Sequence, residues 1–302
     1  MTRPVLSALL LGAVLLDPFG EARAACSCEW LCIEAADNDG AIGLQAINSS
    51  PVPLTFSVQF NTGYFDINGP SSLTRTLASG DSLLLPVVAR GDAWQSRRRA
   101  LSCQWTIGNM HAEHNEQLVY MLPYESGKSY RVLQGFGSRF SHTGIEQFAV
   151  DFKMAEGTPV HAARSGIVAR TESSNSLGCW KDECAGRANY IVILHDDETT
   201  GEYYHLEQDG VLVQVGDRIS AGQQIGLSGN TGHSALPHLH FGVYRAIEYG
   251  KEQSIPFRFL SADGIVEQPR RGGMYVAIDP ERAESLEQAR QAGQNGTAST
   301  GY

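Results

Sequence analysis

Short stretches of alternating apolar and polar residues run through most of the chain, and no long amphipathic helical pattern separates them. In Leu54–Phe60 every second residue is a large apolar one, which is the period of a half-buried β-strand. Parallel strands need long crossover connections, usually helices, whereas antiparallel strands can be joined by short turns. The sequence therefore predicts a mainly β chain whose sheets are largely antiparallel.

The predicted strands form two groups, divided by the segment 123–128, which contains proline and glycine. The first group is Leu54–Phe60, Leu83–Val88, Leu101–Ile107 and Gln117–Leu122, and the second is Thr158–Ala163, Gly166–Thr171, Tyr190–His195, Glu202–Leu206, Gln223–Gly229 and His238–Tyr244. We expect a β-sandwich-like domain of unknown role over 25–128, an antiparallel β-sheet domain over 129–260 and a C-terminal extension over 261–302. In the extension, Asp279 and Pro280 begin a short predicted helix that ends near Ala292 and precedes a disordered tail.

The first 24 residues have the features of a secretory signal peptide. They contain Arg3, an apolar run at 5–16 and the ending Ala22-Arg23-Ala24. The run is too short for a spanning helix, and no later apolar stretch approaches about 18 residues. We therefore expect an exported chain without a membrane span, acting in the periplasm or outside the cell.

The formal net charge is −10. It stays at −10 without the first 24 residues, because two arginines and two acidic residues leave together. The sole basic run, Arg97-Arg98-Arg99, is interpreted as a solvated loop. An acidic chain without a basic block predicts no binding to nucleic acid.

All six cysteines follow the predicted signal peptide, and an even number in an oxidising compartment predicts disulfides. Cys179 and Cys184 have four residues between them, so we expect a local disulfide in the long insertion 173–188. The remaining cysteines are Cys26, Cys28, Cys32 and Cys103. These four cysteines could form two further disulfides that tie the N-terminal segment to Cys103. They could instead bind zinc, but an oxidising compartment outside the cytoplasm disfavours a zinc site.

The sequence PHLHF at 237–241 carries the strongest functional signal. Side chains repeat every second residue in a strand, so His238 and His240 project from the same face. Two imidazoles held side by side suit a metal, or one ligand beside an acid/base group. His142, Asp151 and His205 also stand beside β-forming neighbours, and we expect them to line the same face.

Other polar residues have weaker signals. Strand alternation predicts that Tyr203, rather than Tyr204, shares the face of the site. His161 and His233 either line the groove or serve as a rim residue and a turn residue. The HAEH segment at 111–114 is interpreted as a polar loop, although its two histidines have a metal-binding spacing.

Taken together, the motifs resemble the lysostaphin-type (LytM-like) zinc metalloendopeptidases that hydrolyse peptidoglycan. The matching segments are SHTG at 141–144, VDF at 150–152, GTPVHAARSGIV at 157–168, YYHL at 203–206, VGDRISAGQQIGLSGNTGHS at 215–234 and PHLHF at 237–241. They cover about 135–245, nearly half of the chain, and the flanking segments lie outside the resemblance.

The resemblance implies one zinc ion per chain, held by His142, Asp151 and His240, with His205 and His238 as the two catalytic histidines. Two imidazoles and one carboxylate leave a fourth zinc position open for water, as in catalytic sites. The implied partner is a peptidoglycan peptide substrate, and neither the bond that is cut nor the oligomeric state follows from the sequence.

One spacing departs from the family. Its commonest form has three residues between the first histidine and the aspartate, whereas eight lie between His142 and Asp151. A subgroup has such a lengthened hairpin, with AVDF and GTPV segments as here. Glu146 falls inside this hairpin and is the alternative ligand to His142.

Three other interpretations stay open. The first is a catalytically silent member that binds cell wall or regulates hydrolases, although all five site positions are retained. The second is a non-haem iron oxygenase that uses the HxD segment His195-Asp196-Asp197, a later histidine and Arg245. The third is an adhesion or carbohydrate-binding protein built on the N-terminal segment.

Overall fold

The computed structural model of the chain describes residues 28–38, 41–90, 101–279, 281–282 and 285. The predicted signal peptide, Cys26, the three consecutive arginines, and most of the predicted C-terminal helix and tail lie outside the described residues. At the start of that helix, the Asp279 carboxylate accepts a hydrogen bond from the Arg282 amide, as expected of an N-cap residue.

The described residues form strands joined by turns and three 3-10 segments. The strands are β1 Leu31–Asn38, β2 Ala41–Asn48, β3 Leu54–Phe60, β4 Phe65–Ile67, β5 Ser72–Leu77, β6 Ser82–Ala89, β7 Leu101–Ile107, β8 Val119–Met121, β9 Ser129–Gln134, β10 Val150–Phe152, β11 Pro159–His161, β12 Gly166–Glu172, β13 Tyr190–Leu194, β14 Thr200–Tyr204, β15 Leu206–Val211, β16 Arg218–Ile219, β17 Gln224–Ser228, β18 Leu239–Ile247, β19 Lys251–Ser254, β20 Arg258–Ser261, β21 Gly264–Val266 and β22 Met274–Val276. The 3-10 segments are Gly144–Glu146, Asp182–Arg187 and Glu248–Gly250. The prediction of a mainly β chain with antiparallel sheets is confirmed, with one parallel pair between β8 and β20.

Two small sheets enclose the first core. One has the order β1-β2-β6-β4 and the other β5-β3-β7. The alternation in β3 has the predicted effect, because Phe56 and Val58 are fully buried and Phe60 nearly so, while Gln59 is exposed. Apolar residues from both sheets pack in one cluster, which is the arrangement of a β-sandwich.

A nine-stranded antiparallel sheet dominates the rest of the chain, in the order β16-β12-β13-β14-β18-β10-β9-β22, with β19 also paired to β18. β18, which includes Leu239, His240 and Phe241 of PHLHF, is central in this sheet. It pairs with β14 on one side and β10 on the other, so that His240 lies opposite both Tyr204 and Asp151. This register brings three chemically functional side chains to neighbouring positions.

The sandwich packs directly on this large sheet. Val52, Leu54 and Ile107 share a buried cluster with Val192 and other residues of β12 and β13. The Thr106 hydroxyl also donates to the Glu252 carboxylate on β19 at 2.8 Å. The two β-rich parts of the described chain are therefore joined by a continuous apolar contact.

The segment 118–124 belongs by its contacts to the second part. Tyr120, Leu122 and Tyr124 are buried in the core of the large sheet, and β8 pairs with β20. The predicted domain limits remain a proposal, and these contacts favour a boundary that precedes residue 118 rather than one at 128.

Disulfides hold the N-terminal segment and the insertion. Cys179 and Cys184 are bonded as predicted. Cys28 is bonded to Cys103, across a sequence separation of 75 residues, and Cys32 is also disulfide-bonded. These bonds use the thiols that the alternative zinc site would need.

Among the residues that the structure describes, no helix has the length and apolar character needed to cross a membrane.

Candidate metal centre and active site

Three side chains converge at the centre of the large sheet. His240 projects from β18, Asp151 lies opposite it on β10, and His142 comes from the connection between β9 and β10. Asp151 Oδ1 lies 3.2 Å from His142 Nε2 and 2.9 Å from His240 Nδ1. One potential ligand atom from each residue falls within 4.8 Å of the others. Two imidazoles and a carboxylate at this spacing have the donor set of a metal site.

Further residues fix the orientation of these three side chains. His142 Nδ1 lies 3.3 Å from the Gly135 carbonyl oxygen, which can only accept, so this nitrogen carries a proton and Nε2 is the nitrogen that faces Asp151. Gln134 donates to Asp151 Oδ2 at 2.6 Å. His240 Nε2 lies 3.4 Å from Glu146 Oε2. Such outer hydrogen bonds set the tautomer and the direction of metal-ligating groups.

The lengthened hairpin places Glu146 behind His240. Its carboxylate accepts a hydrogen bond from the Tyr244 hydroxyl and faces the outer nitrogen of His240, whereas His142 faces Asp151 directly. Burial works against ionisation of Glu146, but hydrogen bonds from His240 and Tyr244 outweigh it and lower the pKa of this carboxyl. Glu146 is thus an ionised partner of His240.

The electrostatics of the centre favour a cation. Burial opposes the charge on Asp151, yet the hydrogen bonds from His142 and His240 hold the pKa of this carboxyl well below its usual range. Burial also opposes a proton on His240, but Asp151 and Glu146 raise the pKa of His240 to about 10. The ionised carboxylates of Asp151 and Glu146 therefore favour positive charge at this centre.

His205 and His238 form a second pair beside the three converging residues. Their ring centroids lie 4.6 Å apart, and the His205 ring lies 6.0 Å from that of His240. His205 Nδ1 donates to the Thr231 carbonyl oxygen at 2.7 Å, and His238 Nδ1 to the Leu236 carbonyl oxygen at 2.8 Å. In both rings Nε2 is therefore the nitrogen without a proton. His238 Nε2 lies 3.8 Å from Asp151 Oδ1, close to the centre.

Both of these histidines are neutral at neutral pH. Burial, reinforced by the neighbouring His238 and His240, lowers the pKa of His205 to about 3. Burial likewise lowers the pKa of His238, although Asp151 opposes the shift. Neutral rings with a free Nε2 can accept a proton, which is the requirement for a general base.

The prediction that Tyr203 shares the face of the site is wrong. Tyr204 lies opposite His240 in the strand register, and the centroids of the two rings are 6.1 Å apart. Tyr203 is fully buried on the other face, where its hydroxyl accepts from the Ala163 amide. The alternation fails because His205 follows the end of β14 with a φ of 65°. The side chain of His205 therefore does not continue the alternation of the strand.

The HxD segment does not converge on a metal position among the described residues. His195 is buried and its Nδ1 donates to the Ser165 carbonyl oxygen at 2.9 Å. Asp197 accepts hydrogen bonds from Arg164 and Thr199 and faces His114 Nδ1 at 3.1 Å. These contacts stabilise the turn between β13 and β14. They also make Asp197 the structural partner of His114, the second histidine of HAEH.

Two further histidines, His161 and His233, are not among the three converging residues. His161 is half-buried on β11, and burial lowers its pKa. His233 stacks on Trp180 with a centroid separation of 4.5 Å.

Sequence reasoning missed several groups that support the site, among them Gln134, Tyr244 and the Thr231 carbonyl. Tyr244 had a usable signal, since it stands four residues after His240 and strand alternation places both on one face. Gln134 and Thr231 had none, because they reach the site through tertiary contacts.

The sequence profile described as peptidase family M23 matches residues 146–255. This range includes Asp151, His205, His238 and His240, and it begins after His142. The chain contains a peptidase family M23 domain. The family recognised from the sequence motifs is thereby confirmed.

The M23 domain is also similar to curated relatives. Peptidoglycan DD-endopeptidase ShyA of Vibrio cholerae serotype O1 is 35% identical over 122 residues, which cover 39% of this chain and 26% of the relative. Glycyl-glycine endopeptidase ALE-1 of Staphylococcus capitis is 34% identical over 154 residues, 51% of this chain and 38% of the relative. The chain thus matches only about a quarter to two fifths of the length of these relatives.

A solved structure shows the same similarity. The catalytic domain of lysostaphin from Staphylococcus simulans is 32% identical and covers 43% of this chain and 88% of its own, with a TM-score of 0.28.

Proposed function

We propose that the chain is an exported zinc-dependent endopeptidase that hydrolyses peptide bonds in the stem peptides or cross-links of peptidoglycan. The observation that carries this proposal is the convergence of His142 Nε2, Asp151 Oδ1 and His240 Nδ1 beside the neutral pair His205 and His238. Ligands and acid/base groups are then separate side chains within one site.

The residues fit zinc. His142, Asp151 and His240 would hold it, through two ring nitrogens and a carboxylate oxygen, which are the ligand types of catalytic zinc sites with an open fourth position. The outer contacts match the support that such ligands require: Gln134 donates to Asp151, while the Gly135 carbonyl and the Glu146 carboxylate accept from the two histidines. Bound zinc polarises a carbonyl and lowers the pKa of a bound water to about 7.

His205 and His238 supply the proton transfers. One ring accepts the proton of the attacking water at Nε2 and returns it to the amine that leaves. The other ring would stabilise negative charge on the oxygen of the scissile carbonyl after it has taken up a proton from solvent at Nε2, which it then donates in a hydrogen bond. The Thr231 and Leu236 carbonyls keep the proton of each neutral ring on Nδ1, so that Nε2 is the nitrogen that takes up and releases a proton.

The names of the relatives and the predicted export support the proposed substrate class. The two relatives are named a peptidoglycan DD-endopeptidase and a glycyl-glycine endopeptidase. A predicted signal peptide would bring this chain to the compartment that contains peptidoglycan. A catalytically silent cell-wall-binding protein is the second candidate, and the five retained site residues speak against it.

Digestion of purified peptidoglycan tests the proposal. The full mature chain, loaded with zinc, is expected to release fragments whose masses correspond to cleaved peptide bonds. A chelator should abolish the release and added zinc should restore it. Full activity in metal-stripped protein would refute the proposed mechanism, and binding to peptidoglycan without cleavage would favour the silent protein.

A further inference from the structure

Three aromatic rings form a continuous stack at the rim of the candidate site. The Trp180 ring stacks on those of Phe140 and His233, with centroid separations of 5.1 Å and 4.5 Å and interplanar angles of 17° and 27°. Phe140 is 71% exposed and Trp180 is 52% exposed. Large apolar rings with this exposure need an explanation when they adjoin a functional site.

Two of the rings belong to the side of the site that holds the acid/base pair. The insertion is joined by backbone hydrogen bonds to the segment before PHLHF, from the Cys179 amide to the Gly232 carbonyl and from the Gly232 amide to the Leu177 carbonyl. That segment orients both catalytic histidine candidates through the carbonyls of Thr231 and Leu236. Trp180 and His233 therefore belong to the same hydrogen-bonded part of the structure as the carbonyls that orient His205 and His238.

The third ring belongs to the opposite side. Phe140 stands two residues before His142, in the connection between β9 and β10. The Phe140–Trp180 stack thus joins the segment that carries a proposed metal ligand to the segment that supports the acid/base pair. Between these segments lie side chains with little exposure: 1% for His142, 5% for Asp151, 12% for His238 and 13% for His240.

We propose that Phe140, Trp180 and His233 form an aromatic strap that closes the mouth of the site and must part before a peptide chain reaches it. Trp180 already stacks on one ring from each side of the site, so its contacts join the two sides. This inference rests on the proposed function in one respect only, which is that the molecule admitted to the open site is a peptide substrate. Because only the parted form admits substrate, the apparent activity is reduced by the fraction of molecules that are closed.

The test compares Trp180→Ala, Phe140→Ala and Trp180→Phe with wild type and with Leu212→Ala, which removes an apolar side chain of similar exposure elsewhere. The first measurement is the rate at which diethyl pyrocarbonate modifies His205 and His238 in the metal-free full chain, mapped by peptide mass. This reagent attacks neutral imidazoles, and the exposed His111 serves as an internal reference. The second measurement is kcat/KM for peptidoglycan with the zinc-loaded chain.

Loss of both stacking contacts in Trp180→Ala should raise the modification rates and kcat/KM by roughly tenfold. Phe140→Ala should give a smaller rise, while Trp180→Phe and Leu212→Ala should stay near wild type. Unchanged modification rates in both alanine variants would overturn the strap, and so would a fall in kcat/KM, which would mean that the rings bind substrate. Faster modification in a protein that cleaves no peptidoglycan would uphold the strap and refute the proposed function.

Discussion

The candidate centre is assembled around Asp151 Oδ1, because a ring nitrogen of His142 and one of His240 lie 3.2 Å and 2.9 Å from it. Its position depends on groups that do not themselves face the centre. Gln134 holds the other carboxylate oxygen, and Glu146 holds the outer nitrogen of His240. Removal of these supports should weaken metal binding without abolishing it.

Glu146→Ala is therefore expected to lower zinc affinity by about 10- to 100-fold, the usual effect of losing an outer partner of a ligand. Competition with a chromophoric chelator measures this affinity. Glu156→Ala, at an exposed glutamate outside the site, should match wild type. Complete loss of zinc in Glu146→Ala, with zinc retained in His142→Ala, would instead make Glu146 the ligand.

At the residue scale, the sequence predicted most of the site because its residues stand in recognisable motifs. His238 and His240 are separated by one residue, and in a strand this spacing alone predicts that their side chains lie side by side. Alternation failed at Tyr204, where the positive φ of His205 ends the regularity of the strand. Gln134 was not predictable, because its contact with Asp151 depends on the pairing of β9 with β10.

At the scale of elements, several predicted strands have nearly the observed bounds, and Leu101–Ile107 has the same ones. These segments have a strict period and clear turn residues at their ends. The partner of each strand was not predictable, and neither was the parallel pairing of β8 with β20. Pairing depends on residues distant in sequence that no local period specifies.

The two described disulfides should differ in their effects on stability. The Cys179–Cys184 bond closes a loop across a separation of 5 residues, and the Cys28–Cys103 bond closes one across 75. Loop-closure entropy predicts a loss of roughly 2 kcal/mol for the first and of roughly 4–5 kcal/mol for the second when each pair is replaced by alanine. Denaturant titration measures both values. A larger loss for the short loop would show that its contacts with the segment before PHLHF dominate.

The burial of the Glu202 carboxyl on β14, near Glu252 of β19, predicts a pH-dependent effect on stability. Burial, and then the neighbouring Glu252, raise the pKa of Glu202. The native state thus keeps a proton that the unfolded state loses, so this group stabilises the fold below its unfolded pKa of about 4.5 and the contribution is lost as pH rises toward the folded pKa. Glu202→Gln removes this loss, and its Tm relative to wild type should be higher at pH 8 than at pH 5. An equal difference at both pH values, as expected for Glu156→Gln, would contradict the assignment.

At the scale of the whole molecule, the buried cluster between the sandwich and the large sheet predicts cooperative unfolding. Leu54 is fully buried in this cluster, against residues of β12 and β13. Leu54→Ala should cost about 2–5 kcal/mol and lower a single calorimetric transition. Ile42→Ala, at a residue 47% exposed on the sandwich, should change little. Two separate transitions, only one of which moves, would show that the two parts unfold independently.

The most direct test of the account measures zinc content and peptidoglycan hydrolysis together in five alanine variants. His142→Ala, Asp151→Ala and His240→Ala should lose both, because two remaining ligands hold zinc weakly. His205→Ala and His238→Ala should keep most of the zinc and lose roughly 10²–10⁴ in rate, the usual contribution of a positioned proton transfer. Loss of zinc in His205→Ala or His238→Ala, or its retention in Asp151→Ala, would contradict the division between ligands and acid/base groups.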